Sequence, residues 1–413
     1  MSPAMREVEE QQSLVLSRVR TVEATTVPVS AALGRTLREP LRATVDIPVF
    51  DNSAMDGFAV HFADVADATV DAPAELAVIA DLPAGTADDP PLGRGEAARI
   101  MTGAPVPTDA DAIVPFEGTV GGLADSLGRI RVVQPPRAAG VHIRRRGEDV
   151  LAGDLVLDAG AMLGPLQLAA AAAAGVADVT VSRMPRIAVV STGSELVAPG
   201  APLRRGQIPE SNSELLTGLA TAAGAEVVLR MSVSDDGGGV LRAVDDAEAL
   251  GADAIVFSGG VSAGAYEPVK RSLGGEMEFA AVAMQPGKPQ GFGVTRGGML
   301  LFGLPGNPVS AAVSFEVFVR PALLAMTGRT DGDRPRITVR AATGWRTPPS
   351  RRQYLPAAID RTDPAAWTVR PATRGGSGSH LAGGLALAEA YAVVPADVDE
   401  VSAGDPIEVL LLT

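Results

Sequence analysis

Between Pro185 and Thr327 the sequence repeats one rhythm, and that rhythm restricts the fold more than any other feature of the chain. Apolar runs of strand length at 187–190, 226–230, 254–257 and 299–302 alternate with helix-length segments at 213–223, 240–250 and about 308–326. Gly224 and Gly251 close the first two of these helices. Strands without a polar face, separated by helices, have to be covered on both sides. The pattern predicts a parallel sheet in a three-layer α/β domain over 181–328.

The flanks read differently. At the start, Ser2 is placed to cap a helix, Pro3 suits its first turn, and Glu7, Glu9 and Glu10 lie near its positive end. Val8, Leu14, Val15 and Val19 give that helix a broken apolar stripe, and a short helix ending at Gly34 follows Val27-Pro28-Val29. Residues 46–146 hold short alternating runs, such as 76–79 and 130–133, among Pro, Gly and Asp clusters, which predicts a β-rich insertion. Helical texture returns at 163–175, so 1–45 and 147–180 are expected to form one elongated N-terminal domain. Short runs at 337–340, 367–370, 392–394 and 407–412, without helical period, predict a small β-barrel or sandwich over 335–413.

Composition narrows the function classes. A hydrophobic content of 46% supplies several cores and excludes a disordered chain. The absence of cysteine removes disulfides, thiolate metal sites and cysteine nucleophiles together, and fits a reducing compartment. A formal charge of −14 argues against nucleic acid as a partner. The apolar stretch 163–176 is broken by Gly164, Pro165 and Gln167 and falls short of the roughly 20 residues a crossing helix needs, so no membrane is expected. The acidic N-terminus is unlike a secretory signal, which leaves a cytoplasmic protein as the expectation.

Ligands of an open parallel sheet bind outside the carboxyl ends of its strands. Three loops here share that edge and are rich in small residues: Ser191-Thr192-Gly193-Ser194-Glu195, Ser258-Gly259-Gly260-Val261-Ser262-Ala263-Gly264, and Gly303-Leu304-Pro305-Gly306-Asn307-Pro308. Each alone is commonly a turn. Their convergence points to a phosphate held by backbone amides and helix N-termini. Glu195, Asp235-Asp236 and Glu267 lie on the same edge, where carboxylates beside phosphate call for a hard divalent cation, magnesium or similar. Read singly, Asp235-Asp236 is a helix cap and Glu195 is ordinary surface. Lys288, between Gly287 and Pro289, offers a point charge for an oxyanion, against the plainer reading of a solvated turn lysine. Residues 51–59 and 99–107 pack polar groups among small ones, and Arg144-Arg145-Arg146 could serve an anion, although a lone triplet is usually solvated.

The segments SAMDGFA, RIMTGAPVP, RRRGED, VVSTGSEL, SGGVSAG, QPGKP and GLPGNPVSA resemble the successive motifs of the molybdopterin molybdenumtransferases, the MoeA proteins and the C-terminal E domain of gephyrin. The similarity runs in order from about residue 5 to the C-terminus. It implies an elongated N-terminal part with a β insertion, a molybdopterin-binding α/β domain and a C-terminal β domain. It further implies homodimers whose active cleft combines the α/β domain of one subunit with the insertion of the other. The implied reaction takes adenylated molybdopterin and molybdate with a divalent cation, releases AMP and yields molybdenum cofactor. By position, Asp56 and Thr102 match functional positions of the insertion, and Asp149 the acidic position of the arginine-rich motif. Glu195 and Asp235 match acidic positions at the nucleotide, metal and molybdate site, Lys288 its lysine, and Ser379 a serine reaching the cleft. The implied mechanism is electrostatic, with a cation and Lys288 neutralising pyrophosphate and molybdate while Asp56, Asp235 and Glu267 organise metal and water.

The chain departs from that pattern at two positions. Glu267 stands where many members carry Asp, and Gln285 where some carry a second lysine. Rival readings are a molybdopterin adenylyltransferase, a paralogue turned to tungstate or without activity, and a scaffold. Adenylyltransferases usually consist of the α/β domain alone, and a scaffold has no need of Lys288 together with a ring of carboxylates.

Overall fold

A computed structural model describes residues 5–235, 238–261, 267–373 and 382–412. The four apolar runs become β1 (Arg186–Thr192), β2 (Glu226–Val233), β3 (Ala254–Ser258) and, after two further strands β4 (Met277–Ala281) and β5 (Pro289–Val294), β6 (Leu300–Leu304). The sheet order is β2-β1-β3-β6-β5-β4. Its first four strands are mutually parallel, whereas β5 and β4 run antiparallel at one edge. That edge is absent from the sequence expectation because Gly291 and Gly293 interrupt the apolar run that marks the other strands.

Alternation along β1 sets the three layers. Ile187 and Val189 enter one core with Leu216 and Ala220 of the helix Asn212–Ala222, while Ala188 and Val190 enter the other with Val240 and Val244 of the helix Gly238–Ala249. The helix expected over 308–326 runs as Pro308–Ser314, a π-turn at Phe315–Val319, and Arg320–Met326. It is apolar and long enough to cross a membrane, yet 83% of it is buried inside the protein, so it is core. Glu316 lies within it, 5% exposed, and is held by Arg334 at 2.8 Å and Arg320 at 3.5 Å.

The first helix begins later than the sequence suggests. It spans Val8–Leu16, with Glu7 and Glu10 closing a reciprocal capping box. Ser2 and Pro3 fall outside the described residues, and Arg6 is in a strand-like bridge to Val282. On either side of the insertion, Ala24–Pro28 pairs with Asp178–Ser182, and Leu41–Arg42 with Leu155–Leu157. Leu37, Leu41, Leu163, Ala171 and Val181 share the apolar cluster between them. The insertion is built on a five-stranded sheet in the order Ala112–Pro115, Gly57–Val60, Glu96–Ile100, Ala74–Leu82, Arg129–Val132. At the C-terminus, strands Arg352–Asp360, Thr368–Pro371, Arg336–Ala341, Pro406–Leu411 and Ala390–Val394 pair in that order, and the last returns to the first. This closure resolves the choice between barrel and sandwich in favour of a five-stranded barrel. Met284–Gln285, which leaves the α/β domain after β4, adds in parallel to the barrel strand at Arg352 and Gln353.

Candidate active site

The carboxyl ends of β1, β3 and β6 open onto a cleft of about 520 Å³. The loops that form it are bonded to one another. Gly193 N donates to Val233 O at 3.1 Å, Gly259 N to Leu304 O at 2.9 Å, and the Asn212 amide to Gly306 O at 2.7 Å. Gly259 and Gly260 take φ of +91° and +68°, and a Cβ at Gly259 would lie 2.7 Å from Thr192 Oγ1. Two consecutive left-handed residues turn the chain sharply away from β3 and leave no side chain over the cleft.

Most of the residues expected on this edge meet here. Thr192, Gly193, Glu195, Asp235, Ser258, Gly259, Gly260, Glu267, Lys288, Pro305, Gly306 and Asn307 all line the cleft. Ser191 lies fully buried beneath it, and Pro308 is the first residue of the helix that leaves it. Ser262, Gly264, Ser379 and Asp236 fall outside the described residues. Asp235 is tied to the first loop. Its carboxylate accepts Ser194 N at 3.0 Å, and its own N–H donates to Ser194 Oγ at 3.1 Å, which ties the second loop to the first. Glu195 and Lys288 are exposed at the rim.

The insertion residues stand apart. Asp56, Thr102 and Asp149 do not line the cleft of their own chain. Asp56 and Thr102 are nonetheless brought together: Asp56 Oδ1 accepts Thr102 N at 2.6 Å and Thr102 Oγ1 at 2.7 Å. The backbone N–H of Thr102, with its hydroxyl, holds the Asp56 carboxyl below the usual range. Asp149 is exposed, with its N–H on Ile47 O at 2.9 Å. The arginine triplet is not the open cation cluster the sequence suggests, because Arg145 pairs with Asp51 and Arg146 with Asp46.

Among the described residues, no group of three His, Cys, Asp or Glu side chains converges as a metal cage. The three cleft carboxylates therefore fit a cation that takes one or two of them and completes its shell with substrate phosphate and water, the habit of magnesium. Three side chains were not singled out in the sequence. Arg351, from the barrel, donates through Nη1 to Gln285 Oε1 at 2.6 Å and sets a guanidinium beside a cleft residue. Glu210 and Asn212 lie under and in the cleft wall, just ahead of an apolar helix. Their signal was the polar run Glu210-Ser211-Asn212-Ser213 on the same sheet edge. A larger cavity of about 640 Å³ in the barrel has its arginines committed, Arg336 to Glu408 and Arg352 to Glu9.

Three successive family regions match the chain in order: the MoeA N-terminal region (domain I and II) over residues 6–175, a probable molybdopterin binding domain over 188–325, and the MoeA C-terminal region (domain IV) over 338–412. The chain belongs to the MoeA family. Among its MoeA-family relatives, molybdopterin molybdenumtransferase 2 of Mycobacterium tuberculosis is 45% identical, covering 99% of this chain and 100% of that protein. Molybdopterin molybdenumtransferase of Nostoc sp. is 35% identical over 94% of this chain and 88% of its own length. The crystal structure of the molybdopterin biosynthesis moeA protein from Pyrococcus horikoshii OT3 superposes with a TM-score of 0.83 at 27% identity, covering 99% of this chain and 100% of that one. The cleft at the ends of β1, β3 and β6 lies within the stretch that matches the molybdopterin binding domain.

Proposed function

We infer that this chain is a molybdopterin molybdenumtransferase, which takes adenylated molybdopterin and molybdate, releases AMP and yields molybdenum cofactor. The observation that carries the reading is the cleft itself. Glycine-rich loops, a mobile-armed lysine and carboxylates share one sheet edge, in a chain matched from end to end by named molybdenumtransferases. The small-residue loops around Gly260 and Gly306 leave room for the phosphates, with Lys288 at the rim for the charge of pyrophosphate and molybdate.

One or two of Glu195, Asp235 and Glu267 would hold a magnesium ion, which when bound would neutralise phosphate oxygens as charge develops on them. Asp235, fixed by Ser194, is the best oriented of the three. Arg351 supplies at Gln285 a positive charge like the one the missing second lysine would have brought. Asp56 and Thr102 complete the site from a second subunit: they are exposed, mutually fixed and outside the cleft of their own chain. Exposed Leu33, Leu155 and Leu166 in the N-terminal domain supply apolar surface for such a homodimer. Asp149 and Ser379 are assigned to the same composite site by their place in the family motifs, and the cytoplasm is the compartment that the cysteine-free composition fits.

The test is to mix the protein with adenylated molybdopterin, molybdate and magnesium and follow AMP release and molybdenum bound to pterin. Molybdate-dependent release that disappears in Asp235→Ala supports the reading. Binding without either product, with tungstate tried alongside, would overturn it.

A further inference from the structure

Two side chains in the cleft wall donate a hydrogen bond into the protein and carry an acceptor oxygen at the cleft. Asn212 is 8% exposed and lines the cleft at the start of the helix Asn212–Ala222. Its amide nitrogen donates one N–H to Gly306 O at 2.7 Å, and its carbonyl Oδ1 is buried with no partner among the described residues. Buried acceptors are nearly always satisfied, so an orphan at a ligand cleft marks the place of a missing donor.

The second acceptor follows from a chain of hydroxyls. An ionised carboxylate can only accept, and buried Glu210 receives Ser191 Oγ at 2.8 Å, Ser213 N at 2.9 Å and the Ser213 hydroxyl. With its proton committed to Glu210, Ser191 is left to accept, and Ser258 Oγ lies 3.3 Å from it as the donor. Ser258 lines the cleft with its proton drawn inward, so it presents lone pairs outward.

Acceptor oxygens repel phosphate and molybdate oxygens and complement N–H groups. We propose that Asn212 Oδ1 and Ser258 Oγ form an acceptor wall that takes amino or ring N–H donors from the substrate's heterocycle, while the glycine-rich loops take its phosphates. The proposal rests on the transferase reading, which supplies the heterocycle. Adenine and pterin both offer such an edge, and the experiment tells them apart.

The full chain is titrated calorimetrically with AMP and, separately, with molybdopterin that carries no adenylyl group. Asn212→Ala should weaken whichever probe presents the N–H edge by about tenfold and leave the other within about twofold. Asn212→Asp also loses the donor to Gly306 but keeps an oxygen at Oδ1. It should weaken that probe less than Asn212→Ala does, by about threefold. Ser258→Ala should weaken the same probe as Asn212→Ala, and thermal midpoints establish that each variant is folded. If Ala and Asp lose affinity equally for both probes, Asn212 is only an anchor for the Gly306 loop and the proposal falls. Unchanged affinities in Asn212→Ala overturn it as well. Molybdate-dependent AMP release by the wild type is followed in parallel. The binding contrast without release sinks the transferase reading alone, and release without the contrast sinks the acceptor wall alone.

Discussion

The sheet edge of the α/β domain and the tip of the insertion both carry small residues, an aspartate and a threonine, yet they are built to different ends. At the sheet edge, parallel strands stop together, and their loops bond to each other around an open cleft. In the insertion, Asp56 is satisfied locally by Thr102, and the nearby arginines are satisfied by Asp46 and Asp51. Topology makes a pocket in the first region. In the second, Asp56 and Thr102 are fixed on each other and exposed. The same residue types thus form a receptacle in one place and a finished projection in the other.

The largest expected effect separates the two regions by what they bind. Asp235→Ala should lower AMP release by about 10²-fold or more. Asp56→Ala should lower turnover too, because Asp56 lies outside the cleft of its own chain and completes that of the second subunit. Co-refolding the two variants should restore about a quarter of wild-type activity if subunits mix at random and each cleft is shared. No recovery would break the composite-site half of the comparison.

Stability should divide in the same way. Glu316→Gln leaves Arg334 and Arg320 without their buried carboxylate and should cost about 3 kcal/mol in denaturant unfolding. Arg145→Ala, which removes a solvent-exposed pair with Asp51, should cost less than about 1 kcal/mol. The insertion depends more on its backbone. A Cβ at Gly57 would sit 2.1 Å from Val114 O, so Gly57→Ala should destabilise by about 1–3 kcal/mol.

The smallest effect is electrostatic. Asp56 is held below the ordinary carboxylate value of about 3.9. Its contribution is therefore complete above that value and is lost as pH falls through the lower folded one. Thr102→Val removes the hydroxyl contact and should move the Asp56 titration upward in carbon-detected NMR. A titration unchanged from wild type would show that the Thr102 hydroxyl does not set it.

Where apolar runs alternate with helices, the sequence was legible almost to the residue, because a strand buried on both faces leaves few ways to read Ile187 to Val190. The edge strands β4 and β5 were not: Gly291 and Gly293 erase the apolar signal of β5, which pairs to β6 and in turn holds β4 in the sheet. Of the site, the loops were legible because three small-residue loops follow strands that end on one sheet edge. Glu210, Asn212 and Arg351 were not. Their roles depend on which loop each side chain reaches, and Arg351 comes from another domain 66 positions away from Gln285.

Met284–Gln285 leaves the α/β domain and joins the barrel as an added strand, and the chain then returns through Lys288 into β5. The lysine therefore sits on a crank whose two ends are fixed in different bodies. The loop that places this charge at the mouth of the cleft is anchored twice, by the barrel at Arg352 and Gln353 and by Val282, whose N–H donates to Lys288 O at 2.7 Å.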